Sequence, residues 1–279
     1  MYEGLLKRID DFMIKQFIKL FKHEGFMRYF KNVSWLFFEK IVRIFEGLFV
    51  GIWVARYLGP EQFGLFNYAN SVIYIFMVIA ALGLDNITVR ELVRDESRRN
   101  VLMGSVFVLK LIGAICILPL LGLALRFMHN DWYLNFLVFI MAGGVVLKSF
   151  NVIDCYFQSR VLSKYSAWAN TITLAISGML KILFILMRAP LISFVVLVVV
   201  DAMVLALGFV YFYRKISRDK IRSWRFEWQT AKKILNDGWP VVLSGAAMSV
   251  YMRVDQIMIK EMINAEAVGQ YAAAVRLSE

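Results

Sequence analysis

Glu39, Arg43 and Glu46 stand at i, i+4 and i+7 in an otherwise apolar run, with Lys40 beside them, and so share one helical face. A charge at the bilayer centre costs at least about 2.5–3.5 kcal/mol on insertion scales, so several on one face require a wet or paired interior. Two readings stand side by side: a stripe lining a polar cavity, or a Glu39–Arg43 pair that only packs the bundle. Further cations in apolar runs are Lys110, Lys148, Lys181 and Arg253. In a low-dielectric layer, fixed guanidinium and ammonium groups replace the hydration of an anion with charge-assisted hydrogen bonds. A lysine near a helix end can instead snorkel to the headgroups. The acids are Asp85, Asp201 and Asp255, with Asp154 close to the inner surface. Such carboxylates can couple proton or sodium movement to the membrane field, worth about 2.3 kcal/mol per charge per 100 mV. The alternative for Asp255 is a structural pairing, and for Asp85 a cap or an ion pair.

The elements holding these residues are transmembrane helices. Of 279 residues, 60% are hydrophobic and 19% charged, with a mean hydropathy of +0.62. Ordinary globular chains hold about 45–50% apolar and about 25% charged residues. Seven apolar stretches qualify as spans, at 33–58, 67–89, 101–127, 132–157, 164–187, 190–213 and 234–263, and an eighth begins near Tyr271. The fold class is therefore an all-α, polytopic membrane helix bundle. With the N-terminus cytoplasmic, the inner segments carry twenty-one Lys and Arg, against Arg56, Arg126, Arg188 and Lys260 outside. The net charge of +11 thus reports topology and not nucleic-acid binding. Residues 1–31 place Leu5, Ile9, Phe12, Phe17, Leu20 and Phe21 at roughly helical spacing among basic residues, which predicts an amphipathic helix on the inner leaflet. Residues 32–213 form a first six-helix lobe, 214–233 a cytoplasmic linker, and 234–279 the start of a second lobe.

The second lobe is visible as a repeat. At an offset of 205 residues, Ile52 pairs with Ile257, Leu58 with Ile263, Glu61 with Glu266, Gly64 with Gly269, Phe66 with Tyr271 and Ala69 with Ala274. Six spans separate the copies, so both have one orientation and the repeat axis lies along the membrane normal. Each copy falls at an outer-side turn, the first marked by Gly59-Pro60. Gly47 and Gly51 add a GxxxG spacing that permits close helix approach, and Trp53, Trp132, Tyr133, Trp168 and Trp239 form an aromatic belt.

The run from Ala55 to Gly64 (ARYLGPEQFG), then Leu82-Gly83-Leu84-Asp85 and Val89-Arg90-Glu91, resembles the first two helices of bacterial polysaccharide-precursor flippases of the Wzx type. These belong to the multidrug, oligosaccharidyl-lipid and polysaccharide exporter superfamily. The second-lobe signature is matched by Arg253 to Ile259 and by Ala267 to Ala274. The resemblance implies two six-helix lobes and alternating access, with an undecaprenyl-pyrophosphate-linked oligosaccharide as substrate. On it, the chain is expected to be truncated within the second lobe. Arg43 and Arg253, each on the first helix of a lobe, are expected to face each other across the cavity, with Lys110, Lys148 and Lys181 as further substrate ligands. Glu39, Glu46, Asp85, Asp201 and Asp255 are the ion-coupling candidates. Implied partners are membrane lipids and the polysaccharide polymerase and chain-length machinery, in the bacterial inner membrane.

Catalysis is not expected. No Asp-x-Asp, nucleophile–base pair, phosphate-cradling glycine loop or HExxH helix is present, and the outer loops are short. Cys116 and Cys155 read as packing residues, and His23 and His129 have no metal-ligand spacing, so neither metal nor cofactor is expected. The competing readings are a cation-coupled multidrug exporter of the same superfamily, against which the cavity cations count, and a truncated non-transporting scaffold.

Overall fold

The computed structural model describes residues 24–128, 131–217 and 221–278, and these are helical with short connections. In order they are α1 (Glu24–Phe45), a π-helical turn (Glu46–Val50), α2 (Gly51–Ala80), α3 (Leu84–Arg94), α4 (Arg99–Phe127), α5 (Trp132–Leu147), α6 (Val152–Ser159), α7 (Ser163–Leu186), α8 (Leu191–Ser217), α9 (Trp228–Met262) and α10 (Ala265–Ser278). The expected amphipathic run from Leu5 to Phe21 lies outside the described residues, as do His23 and His129. α1 already begins at Glu24, and α9 at Trp228, inside the stretch read as linker.

Five helical runs among the described residues are long and apolar enough to cross a membrane: Phe30–Arg94, Glu96–Phe127, Trp132–Ser159, Ser163–Leu186 and Leu191–Ser217. The first, of 65 residues, holds two of the expected spans. A straight helix of that length would reach roughly 100 Å, about three times a bilayer's hydrocarbon thickness. Gly59 divides it, with φ 70° and ψ 170°, values that end a right-handed helix and suit only glycine. Pro60 then starts the next segment without needing a backbone donor. The expected span at 234–263 is helical, as α9, but it is not among the five, because Asp237, Arg253, Asp255, Lys260 and Glu261 interrupt its apolar windows.

Side-chain contacts identify the two ends of the bundle. At one end, Tyr57 donates to the Ala189 carbonyl, and Tyr68 reaches Met128 and Glu261, so both flanks of Gly59 meet the short connections α4–α5 and α7–α8. At the other, Asn32 bonds Ser163, Arg160 pairs with Glu96 at 2.5 Å, and Arg98 pairs with Glu227 at 2.8 Å. Basic connections gather at this second end, as the sequence predicts. Asp95 caps the turn Glu96–Arg98 there, accepting from both the backbone and the hydroxyl of Ser97, which holds its carboxyl below the usual range.

Two apolar cores fill the bundle, one beneath the Gly59 end around Phe63, Tyr68, Leu121, Leu137 and Val195, the other around Leu84, Met103, Ile153, Phe157 and Tyr213. Outside them, Phe37, Phe49, Phe127, Leu186 and Tyr251 stand exposed, an apolar exterior suited to lipid contact. Trp53, Trp132, Tyr133, Trp168 and Trp239 are exposed as well, consistent with an aromatic belt.

Candidate functional site

Helix α9 packs antiparallel to α2 and α3, with Glu261 against Tyr68, Gln256 against Ser71, Arg253 over the Tyr74 ring and Lys233 against Glu91. Helix α10 packs antiparallel to the first part of α2, placing Ala265 on Gly64 and Arg276 on Gly51. α9 and α10 therefore meet α2 and α3 along a seam running from the Gly59 end toward the bundle's middle.

The charged candidates divide into separate groups. Within α1, Arg43 pairs with Glu39 at 2.5 Å; the carboxylate is buried and the guanidinium 59% exposed. Lys110, only 5% exposed, pairs with Asp85, which also accepts from the Cys155 thiol. Cys155 is buried, as the packing reading expects, and its thiol also reaches Asp85. Asp154 accepts from Ser166 and Gln158. The Lys148 ammonium lies 2.7 Å from the Met77 sulfur. Asp255 accepts from the Tyr271 hydroxyl and the Gln256 backbone, which ties α9 to α10. Arg43 and Arg253, expected to face each other, engage different partners: a carboxylate within α1 and an aromatic ring on α2.

The group that brings several elements together lies at the π turn. Glu46, its first residue, forms a 2.6 Å ion pair with Lys181 of α7. One turn before Lys181 on the same face, Ser177 donates to Asp201 of α8 at 2.8 Å, leaving the buried second oxygen of Asp201 without a partner among the described residues. Arg276 of α10 enters from the second lobe. It sits so close to Gly51 that a Cβ there would lie 2.7 Å from the guanidinium carbon. Among the described residues it makes no direct ion pair. Lys181, Asp201, Arg276, Gly51, Val54 and Phe66 line a cavity of about 70 Å³, large and polar enough for water. A groove of about 490 Å³ opens on the same seam between Arg56, Pro60, Phe63, Gln270 and Arg276. A π turn is rare and concentrates at functional positions. Here the glycine just beyond it admits an arginine from α10.

Arg276 was missed from the sequence, although its place a few residues into the span expected from Tyr271 marks it as an intramembrane cation. What no spacing revealed is that it shares a cavity with Lys181 and Asp201.

A family model described as "Polysaccharide biosynthesis protein" matches residues 29–279. Among curated proteins none matches. A solved structure, described as the inward-facing conformation of a multidrug resistance MATE family transporter of the MOP superfamily, superposes with a TM-score of 0.63 at 20% identity. The match covers 86% of this chain and 57% of that one, so the chain spans little more than half that transporter's length.

Proposed function

Since the chain belongs to the polysaccharide biosynthesis protein family and has the fold of a MOP-superfamily transporter, we propose that it moves undecaprenyl-pyrophosphate-linked oligosaccharides from the inner to the outer leaflet of the bacterial inner membrane. The observation that carries this reading is the convergence of Lys181 and Arg276, one from each lobe, on a single cavity at the seam. A lipid pyrophosphate must cross a low-dielectric layer, and two cations lining one cavity replace its lost hydration with charge-assisted hydrogen bonds. The neighbouring groove, largely apolar with Arg56 and Arg276 at its edges, offers a wall to the isoprenoid chain. Glu46 and Asp201 compensate the cations while no substrate is bound, and they are the coupling acids we favour. Asp85 and Glu39 are paired with cations that do not line this cavity, and Asp255 with its tyrosine. Arg43, Arg253, Lys110 and Lys148 are assigned secondary roles along the path. In this reading the N-terminus is cytoplasmic, the Gly59 end faces outward, and the flipped lipid passes to the polymerase and chain-length machinery.

The test is the leaflet location of the polyprenyl-linked oligosaccharide in cells with and without the gene, read by a probe that reaches only the outer face. The inner-facing pool is expected to grow on deletion. An unchanged outer pool would move the assignment to export of another substrate.

A further inference from the structure

The connection that follows α7 brings two arginines together at the Gly59 end. α7 closes with both bonds of a Schellman turn, from the Arg188 amide to the Ile185 carbonyl at 3.2 Å and from the Ala189 amide to the Phe184 carbonyl at 2.9 Å. The residue that turns left-handed there is Arg188, at φ 52°, in a place that glycine fills without strain. The Ala189 carbonyl accepts from Tyr57 at 2.9 Å, which brings the turn of Arg188 against the part of α2 that carries Arg56. Both arginines are exposed, and neither has an ion pair among the described residues. An apolar cleft runs beside them on the α7 side of α2. Two overlapping grooves, of about 390 and 360 Å³, share Trp53, Arg56 and Ile182, with Phe49 lining one and Leu186 the other. Phe49, Trp53 and Leu186 are exposed, so the cleft opens on the exterior of the bundle.

From this we propose that the cleft is a binding site for an anionic phospholipid of the leaflet at the Gly59 end, its phosphate held by Arg56 and Arg188 and an acyl chain lying along Trp53 and Ile182. The leaflet rests on the orientation proposed above, and the site does not depend on which lipid is transported. Charge carries the assignment of the occupant. A guanidinium keeps its charge beside apolar walls and pairs with phosphate oxygens through two parallel N–H bonds. Cations at this end oppose the inward bias of Lys and Arg, yet two of the four outer ones, Arg56 and Arg188, meet at this cleft. The walls suit an acyl chain, and an exposed tryptophan between apolar cleft and arginine belongs at headgroup level. The left-handed Arg188 fits the same account, because the turn alone is better served by glycine and the strain is compensated when the side chain has a ligand.

The experiment uses the chain reconstituted in phosphatidylcholine vesicles, with phosphatidylglycerol or phosphatidylcholine brominated on the acyl chain as a quencher of tryptophan fluorescence. Subtracting the signal of Trp53→Phe isolates Trp53 from the other tryptophans. Brominated phosphatidylglycerol is expected to quench Trp53 at a mole fraction at least about fivefold lower than brominated phosphatidylcholine. Arg56→Ala and Arg188→Gly are each expected to remove most of that preference. Arg188→Gly relieves the left-handed residue, so its melting temperature should hold or rise while the preference falls, which separates binding from folding. Arg126→Ala, at the same end but outside the cleft, is the control expected to leave the preference intact. Equal quenching by the two lipids in the parent would overturn the site, as would a preference that survives Arg56→Ala with Arg188→Gly. An equal loss in Arg126→Ala would reduce the preference to diffuse charge and overturn it too. Undecaprenyl pyrophosphate that displaces the brominated phosphatidylglycerol at about a tenth of its mole fraction would overturn the phospholipid as occupant in favour of the transported class. No readout here involves transport, so the site and the flippase reading stand or fall separately.

Discussion

Toward the basic end of the bundle, Glu39 is matched by Arg43, Asp85 by Lys110, and Asp154 by Ser166 and Gln158. At the seam, Arg276 has no direct carboxylate partner among the described residues, and Asp201 keeps one buried oxygen unbonded. Both regions use the same residue types inside a membrane bundle. They differ in how completely each charge is answered, and in whether the answer comes from within one lobe. A saturated pair away from the seam cavity has nothing left to offer a substrate, and its loss is felt as instability. An unsaturated group whose neighbours belong to two lobes changes surroundings whenever the lobes move, and its loss is felt in transport.

The sharpest way to break this contrast is Arg276→Ala. It is expected to reduce outer-leaflet appearance of lipid-linked oligosaccharide by at least about tenfold while the melting temperature in detergent stays within a few degrees, as befits a group without a direct ion pair. Arg276→Lys should recover part of the rate, since it keeps the charge and loses the planar fork. Equal losses of melting temperature and rate in Arg276→Ala would place Arg276 with the structural pairs.

Asp85→Asn should behave in the opposite sense. It strands Lys110, 5% exposed, without its counter-charge. Breaking a fully buried pair costs about 3–5 kcal/mol, and because the Asp85 side chain is 53% exposed the expected loss falls toward roughly 2 kcal/mol. The melting temperature and the amount of protein in the membrane should fall, with the rate per molecule unchanged. A normal melting temperature with a lost rate would move this pair to the transport side.

The double change Arg43→Ala with Arg253→Ala should be milder. The Arg43 guanidinium is mostly exposed, and Arg253 lies over a tyrosine ring, a contact of about 0.5–2 kcal/mol. A partial fall in export with normal insertion is expected, and unaltered export would remove both from the path. The smallest effect belongs to Asp95. Its folded carboxyl titrates below its usual value of 3.8, so its contribution is complete above pH 3.8 and fades as pH falls through the lowered value. Amide exchange in the Glu96–Arg98 turn should therefore quicken in Asp95→Asn at neutral pH, and in the parent only in stronger acid.

Much of the architecture was legible in residue order, because a bilayer admits few solutions: long apolar runs become helices, and Lys and Arg collect on one side. The repeat was legible too, since Gly64 and Gly269 keep their identity at one offset. Ile234 to Ile263 shows where this reading thins, as its charges are tolerated by packing against α2 and α3 and leave α9 less apolar than a lone span. Among the candidate residues, the sequence named Glu46, Lys181 and Asp201 but paired none of them. It set Arg43 against Arg253 by position alone.

What the sequence determined by itself was the helical membrane class, the alternation of ends and an internal repeat at one offset. Each follows from local composition and from the cost of leaving charge or backbone unsatisfied in lipid. Only the tertiary structure decided which charges cancel and which remain available, because an ion pair forms over a few ångströms between residues as distant in sequence as Glu46 and Lys181. It alone turned two matching glycines into a crossing, since the clash a methyl would make at Gly64 is with a carbonyl 201 residues away, at Ala265.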